Sequence, residues 1–166
     1  STPKPSSAAS DVYKRQSVDE LDTLFNKRSG MMGLTGFGDL REVHRLVEEG
    51  NEDAKLALDI YVHRIVGYIG NYTAQMGGVD VITFTAGVGE NDDVVRKMVC
   101  DKLAPFGVKL DEEKNATRSK EPRIISTPDS AVTICVIPTN EELAIARKSA
   151  AIAEEGKDSY GNVFSK

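Results

Sequence analysis

The stretch from Val79 to Asn91 sets the expected fold, and it reads Val-Asp-Val-Ile-Thr-Phe-Thr-Ala-Gly-Val-Gly-Glu-Asn. The run through Thr85 is β-branched and mostly apolar, which predicts a strand covered on both faces of a sheet. Gly87 and Gly89 follow at once, and Asn91 is predicted to cap the next helix. This order predicts an α/β protein with free backbone N–H groups at the carboxyl end of a sheet.

The glycine turn has two interpretations from its pattern alone. Gly87-Val88-Gly89 lacks the third glycine of the dinucleotide fingerprint, and no Gly-Lys-Ser or Gly-Lys-Thr follows it. A dehydrogenase-type domain and a P-loop are therefore disfavoured. A plain strand-to-helix connection and a ligand-binding turn both stay open, because glycines are common at tight connections.

A longer motif around the turn carries a family resemblance. Phe84 to Asn91, Phe-Thr-Ala-Gly-Val-Gly-Glu-Asn, closely resembles the adenosine-binding motif of acetate kinases, within the superfamily of sugar kinases, actin and heat-shock chaperone ATPases. The resemblance begins near Ser17, includes Leu24 to Gly30, and implies half of an actin-like ATPase (ribonuclease H-like) fold with a mixed sheet flanked by helices. It implies that ATP contacts the turn residues Gly87, Val88, Gly89, Glu90 and Asn91.

A second candidate site lies nearer the beginning of the matched region. The resemblance implies that the family's Asp-x-Arg triplet, here Asp39, Leu40 and Arg41, lines the adenine pocket. An arginine plane can stack on a purine, while an aspartate can cap the helix that holds it. The residues alone favour the alternative of a capped surface helix with a solvated arginine.

Two adjacent glutamates begin the last predicted helix. Thr139 and Glu142 have the spacing of a Thr-x-x-Glu capping box, which predicts a structural role for Glu142. Glu141 follows a predicted strand, where a carboxylate can hold magnesium between protein and phosphates, although both glutamates could simply favour the helix dipole. Pro138 to Leu143, Pro-Thr-Asn-Glu-Glu-Leu, resembles the family's second signature, which implies that Glu141 is the magnesium residue.

The resemblance also implies an activity. Acetate kinases reversibly transfer a phosphoryl group between ATP and acetate, giving ADP and acetyl phosphate, with Mg²⁺ as cofactor, and the full-length protein is typically a homodimer. The family's catalytic aspartate, histidine and arginine and its acyl-acid pocket are expected to lie outside this chain. No catalytic residue is therefore expected here, and the alternatives are a non-catalytic nucleotide-binding fragment and the propionate kinase relative.

Composition excludes several other classes. The chain has 166 residues, a formal charge of −5 and 28% charged residues, which argues against nucleic acid or an anionic membrane as a main partner. No apolar run reaches the roughly 20 residues of a transmembrane helix. Cys100 and Cys135 have no metal-like spacing and are interpreted as reduced, buried thiols of a cytoplasmic protein. His44 and His63 lie in predicted helices and are interpreted as structural.

Three segments are expected along the chain. Residues 1–16 are interpreted as a disordered or non-native leader, residues 17–153 as the acetate kinase-like nucleotide-binding domain, and residues 154–166 as a polar tail. Within the domain, Met31 to Gly38 is predicted to be a glycine-punctuated loop. Asn51 is predicted to cap a long helix that is buried on most sides.

Overall fold

The computed structural model describes residues 17–155, without the side chains of the last two. The predicted leader and most of the predicted tail lie outside these residues. The described chain divides into two compact units at Ile69 and Gly70. The first unit contains the helices α1 (Val18–Lys27), α2 (Gly30–Thr35) and α3 (Leu40–Glu48), and it contains most of α4 (Glu52–Met76).

Side-chain caps start three helices of the first unit, α1, α3 and α4, whereas Ser29 before α2 makes no side-chain cap hydrogen bond. Ser17 and Glu20 form a capping box at α1. Asp39 Oδ1 accepts a hydrogen bond from the amide of Arg41 at α3, and Asn51 Oδ1 accepts one from the amide of Ala54 at α4. Each cap satisfies one backbone donor that the first helical turn leaves without a partner.

The predicted loop from Met31 to Gly38 is wrong over its first half. Residues Gly30–Thr35 form α2, in which the hydroxyl of Thr35 donates to the carbonyl of Met31. The helix ends at Gly36, whose φ of +76° is the left-handed conformation that glycine accepts without strain. Gly36 therefore ends a short helix, and the glycines of this segment do not mark one continuous loop.

The prediction that α4 is buried on most sides is also wrong. Its buried side chains lie on one stripe near its beginning, formed by Ala54, Ala57, Leu58 and Val62. Large apolar side chains elsewhere on the helix are exposed, with Leu56 at 49% and Met76 at 67% of full accessibility. A helix buries only the face that meets a neighbour.

The second unit contains a three-stranded mixed sheet and the helices around it. Its elements in chain order are β1 (Val81–Phe84), α5 (Ala86–Asn91), α6 (Asp93–Lys102), a 3₁₀ turn (Ala104–Phe106), α7 (Glu112–Ala116), β2 (Arg123–Ile124), β3 (Thr133–Val136) and α8 (Glu141–Glu155). The strand order is β1-β3-β2. Strands β1 and β3 are parallel, with Val81 opposite Thr133, and β2 runs antiparallel to β3.

The strand β1 is less covered than its sequence predicts. Among the described residues it pairs with β3 alone, and Val81 is 53% exposed. The buried apolar side chains of this unit include Val95 and Val99 of α6 and Ile134 and Val136 of β3. A strand's apolar pattern shows what it can bury, while its place in the sheet decides what it does bury.

Replacing Gly107 by alanine is expected to destabilise the second unit by about 3 kcal/mol, since left-handed strain adds to a steric clash. Gly107 has a φ of +82°, and a Cβ there would lie 2.7 Å from Cβ of Ala131. Gly50→Ala is the matched control, because Gly50 has a φ of +84° and nothing within 4 Å of the added carbon. Chemical denaturation of both variants measures the difference. Equal losses in the two variants would contradict the clash.

Candidate functional site

The glycine turn after β1 is a short helix instead of an open loop. Residues Ala86–Asn91 form α5, and the amide of Asn91's side chain donates to the carbonyl of Gly87 at 2.8 Å. The predicted N-cap at Asn91 is therefore wrong. Asp92 caps α6 instead, because its Oδ1 accepts a hydrogen bond from the amide of Val95 at 2.9 Å.

The two glycines of α5 have different surroundings. A Cβ on Gly89 would lie 3.1 Å from the carbonyl carbon of Phe84, so Gly89 lets α5 lie against the end of β1. A Cβ on Gly87 would meet nothing within 4 Å. Ala86 enters the helix with a φ of +59°, an unusual value for a residue with a side chain. Gly87 thus leaves open space beside a constrained backbone, whereas Gly89 is required for packing.

The carboxylate of Glu90 joins α5 to the segment that precedes α8. It accepts hydrogen bonds from the amide of Thr139 at 2.8 Å and from the hydroxyl of Thr139 at 3.0 Å. The backbone hydrogen bond from Thr139 is the main cause that lowers the pKa of Glu90. The structure therefore brings together the two sequence signatures, although Glu90 and Thr139 are separated by 49 residues.

The predicted capping box of the last helix is wrong. The amide of Leu143 donates to Oδ1 of Asn140 at 2.9 Å, so Asn140 caps α8. Thr139 is bonded to Glu90 and takes no part in that cap. Glu141 is the first residue of α8, and both Glu141 and Glu142 are exposed.

A cavity of about 460 Å³ lies beside this junction. Three segments line it, and their residues are Glu90 and Asn91 from α5, Ser119, Lys120 and Pro122 from the loop before β2, and Pro138, Thr139 and Asn140 from the loop before α8. The volume falls within the range of small-molecule sites. The sequence signatures predict two of these segments but give no indication of the one that contains Lys120.

Arg96 is a structural residue of the site that the sequence patterns did not single out. Its side chain is 2% exposed, and its Nη1 donates to the carbonyls of Gly89 and Glu90, both at 3.0 Å. Nε and Nη2 donate to Asn115 at 2.8 and 2.7 Å. Burial lowers the pKa of Arg96, and the nearby charge of Arg123 lowers it further. Arg96 lies three residues before Val99 and seven before Leu103, so it shares the apolar stripe of α6 with them. A charged residue on an apolar stripe is the sequence signal that indicates its burial.

The Asp-x-Arg triplet belongs to the first unit. Asp39 caps α3 and also forms an ion pair with Arg41, with 2.6 Å between Oδ2 and Nη2. The hydrogen bonds from Arg41 lower the pKa of Asp39 to about 2. The side chain of Arg41 is 89% exposed, so its guanidinium has an open face. The geometry agrees with a helix cap, and the adenine contact of Asp39, Leu40 and Arg41 stays a prediction.

The described residues contain no group of three or more His, Cys, Asp or Glu side chains placed to hold a metal ion. A lone carboxylate such as Glu141 still fits Mg²⁺, which proteins commonly hold by one or two carboxylates together with substrate phosphates. Cys100 is buried, and burial raises the pKa of its thiol to about 11. None of the helices in residues 17–155 has the length and apolar character required to cross a membrane.

The second unit is of the α/β class, with a mixed sheet, helices around it and a glycine-containing helix directly after a strand. The chain belongs to the acetokinase family, whose model matches residues 11–147. The expected actin-like ATPase fold is confirmed by the likeness of the chain to solved acetate kinases.

Comparisons with individual proteins agree with this assignment. The acetate kinase of Leifsonia xyli subsp. xyli is 55% identical over 80% of this chain and 33% of its own length. The crystal structure of Porphyromonas gingivalis acetate kinase has a TM-score of 0.80 and 37% identity, over 92% of this chain and 39% of that one. A propionate kinase from Francisella tularensis has a TM-score of 0.76 and 37% identity, over 88% of this chain and 37% of that one. The chain spans about a third of the length of the curated relatives it matches.

Proposed function

We propose that this chain supplies the ATP-binding part of an acetate kinase, which reversibly transfers a phosphoryl group from ATP to acetate and gives ADP and acetyl phosphate. The observation that carries the proposal is the hydrogen-bonded junction of Glu90 with Thr139 beside the cavity. It joins two segments that each match a family signature, and a small-molecule cavity lies where they meet. The family membership supplies the reaction, since the names of the relatives state it.

The chain's own residues would bind and orient the nucleotide. Gly87, Val88, Gly89, Glu90 and Asn91 would lie along it, and Asp39, Leu40 and Arg41 would contact its adenine. Magnesium, held by Glu141 directly or through water, would supply charge neutralisation at the phosphates. In phosphoryl transfer most of the catalysis is positioning and electrostatic stabilisation, so a rigid nucleotide platform is a substantial contribution.

Further properties belong to the same proposal. Residues 17–153 would form the nucleotide-binding domain, the full-length protein would be a cytoplasmic homodimer, and acetate would be its acyl substrate. Propionate is the second candidate substrate, because a propionate kinase is among the structures that this chain resembles. A catalytically inactive nucleotide-binding fragment is the second candidate for the 166-residue chain by itself.

Gly87→Val is expected to weaken ATP binding at least about 10-fold, because the new side chain would fill the open space beside α5 while disturbing no protein contact. Gly67→Val is the matched control, since Gly67 also lies in a helix with nothing within 4 Å of an added Cβ. Calorimetric titration with ATP and ADP measures the affinities, and circular dichroism checks the fold. ATP binding to Gly87→Val with the affinity of the parent would contradict the proposed site.

A further inference from the structure

The loop that leads into β2 contributes a cation to the cavity. Ser119, Lys120 and Pro122 line the cavity together with residues of the two signature segments. Among the cavity-lining residues Lys120 is the only cation, and no described residue forms a hydrogen bond or ion pair with its ammonium group. A cation that lines a cavity and has no protein partner is available to an anionic ligand.

The loop has a defined conformation. The amide of Glu121 donates to Oγ of Ser119 at 3.0 Å, and Nη1 of Arg123 donates to the carbonyl of Ser119 at 3.3 Å. Arg123 also anchors the loop to the sheet, because it lies in β2 opposite Val136. The backbone around Lys120 is therefore held by two hydrogen bonds within the loop and by the pairing of Arg123 with β3, which limits the backbone entropy lost when a ligand binds.

The charged groups behind the loop have both signs. Arg123 is close enough for its charge to lower the pKa of the Arg96 guanidinium, and the charges of Asp92 and Asp93 act on that pKa in the opposite direction. The one carboxylate of the cavity wall, Glu90, accepts hydrogen bonds from Thr139. These hydrogen bonds leave Glu90 negatively charged but occupied by a protein partner, whereas Lys120 is the charged group of the wall with which no described residue forms a hydrogen bond or ion pair. Lys120 is therefore the group available to an anionic ligand.

We propose that Lys120 contacts the phosphate chain of the bound nucleotide and makes the affinity of the site rise with the number of phosphates. The proposal rests on the proposed function, because it assigns a ligand group to one wall of the same cavity. It adds a residue that neither sequence signature contains, and it places the phosphates next to the 119–122 segment. Lys120 is a binding residue in this proposal and has no role in the chemical step.

The test compares the affinities of ATP, ADP, AMP and adenosine for the 166-residue chain and its variants by calorimetric titration. Lys120→Ala is expected to raise the dissociation constant of ATP about 10-fold and that of ADP less, with adenosine unchanged, since the lost contact is to phosphate. Lys120→Arg, which keeps the charge, is expected to stay within about 2-fold of the parent. The ATP effect should shrink at high salt, because the contact is partly exposed.

Lys102→Ala is the matched control, since it removes the same charge from an exposed lysine outside the cavity. Equal weakening of ATP and adenosine by Lys120→Ala, or an equal effect of Lys102→Ala, would overturn the assignment of Lys120. If the parent chain binds ATP and the Lys120→Ala variant binds ATP with the same affinity, this inference is overturned and the proposed function stands. A parent chain that binds no nucleotide would contradict the proposed function, and this inference with it.

Discussion

Arg96→Met is expected to lower the free energy of unfolding of the second unit by about 4 kcal/mol. The substitution removes a guanidinium that donates to Gly89, Glu90 and Asn115, and methionine has no donor to replace it. The acceptors that stay behind are carbonyl and amide oxygens around a side chain that is 2% exposed. Leaving buried acceptors without partners costs their desolvation, about 1 to 3 kcal/mol for each group.

The same substitution should affect the site more than the rest of the fold. Arg96 holds the carbonyls of Gly89 and Glu90 near the end of α5, and Asn115 holds the carbonyl of Asp93 at the start of α6 at 2.9 Å, so both residues fix how α5 meets α6. Chemical denaturation gives the free energy, and hydrogen exchange at the amide of Asp92, which donates to the carbonyl of Val88 at 2.9 Å, should rise before exchange in β3. Arg45→Met is the control, since Arg45 pairs with Glu42 and Glu49 at the surface and should contribute less than about 1 kcal/mol. Equal losses for the two arginines would contradict the buried role of Arg96.

The sequence predicts those parts of the fold that depend on near neighbours in the chain. Ser17, Asp39 and Asn51 each cap a helix whose amides lie two or three residues ahead, so a local pattern is sufficient. The end of α4 at Met76 follows from Gly77, whose φ is +76°. The family motifs likewise single out, by local sequence, the two segments that the hydrogen bonds between Glu90 and Thr139 join, which are α5 and the loop before α8.

The predictions that are wrong concern positions whose structure depends on a residue that is distant in the chain. Thr139 has the spacing of a capping residue, but Glu90 from α5 binds both its amide and its hydroxyl, and Asn140 takes the cap. Asn91 and Asp92 are equally good caps by type, and the choice depends on α5 being helical through Asn91. The exposure of β1 depends on its position at the sheet edge, and the buried position of Arg96 depends on Asn115, which is 19 residues away.

The 166-residue chain alone is expected to show no acetate kinase turnover, and to regain it when joined to the remaining two thirds of a relative such as the Leifsonia xyli enzyme. The proposed function assigns nucleotide binding to this chain and the binding of the acyl acid to the part of the protein outside it. Binding of the ground state alone does not accelerate a chemical step, because only interactions that strengthen in the transition state do so. Trapping of acetyl phosphate by hydroxylamine, with ATP, magnesium and acetate, measures turnover. Robust activity of the chain alone would contradict the proposal that the catalytic residues and the acyl-acid pocket lie outside it.

In the joined protein, Glu141→Ala is expected to reduce turnover by about 100-fold or more and to raise the magnesium concentration required for half-maximal rate, since a lost metal contact weakens charge neutralisation at the phosphates. Glu142→Ala is the matched control, because both carboxylates are exposed in the first turn of α8. Asn140 caps that helix, so Glu142→Ala should cost less than about 1 kcal/mol of stability through the helix dipole. Its turnover and its magnesium dependence should match those of the unsubstituted protein. Equal losses of turnover in the two variants, or an unchanged magnesium requirement in Glu141→Ala, would remove Glu141 from the metal site.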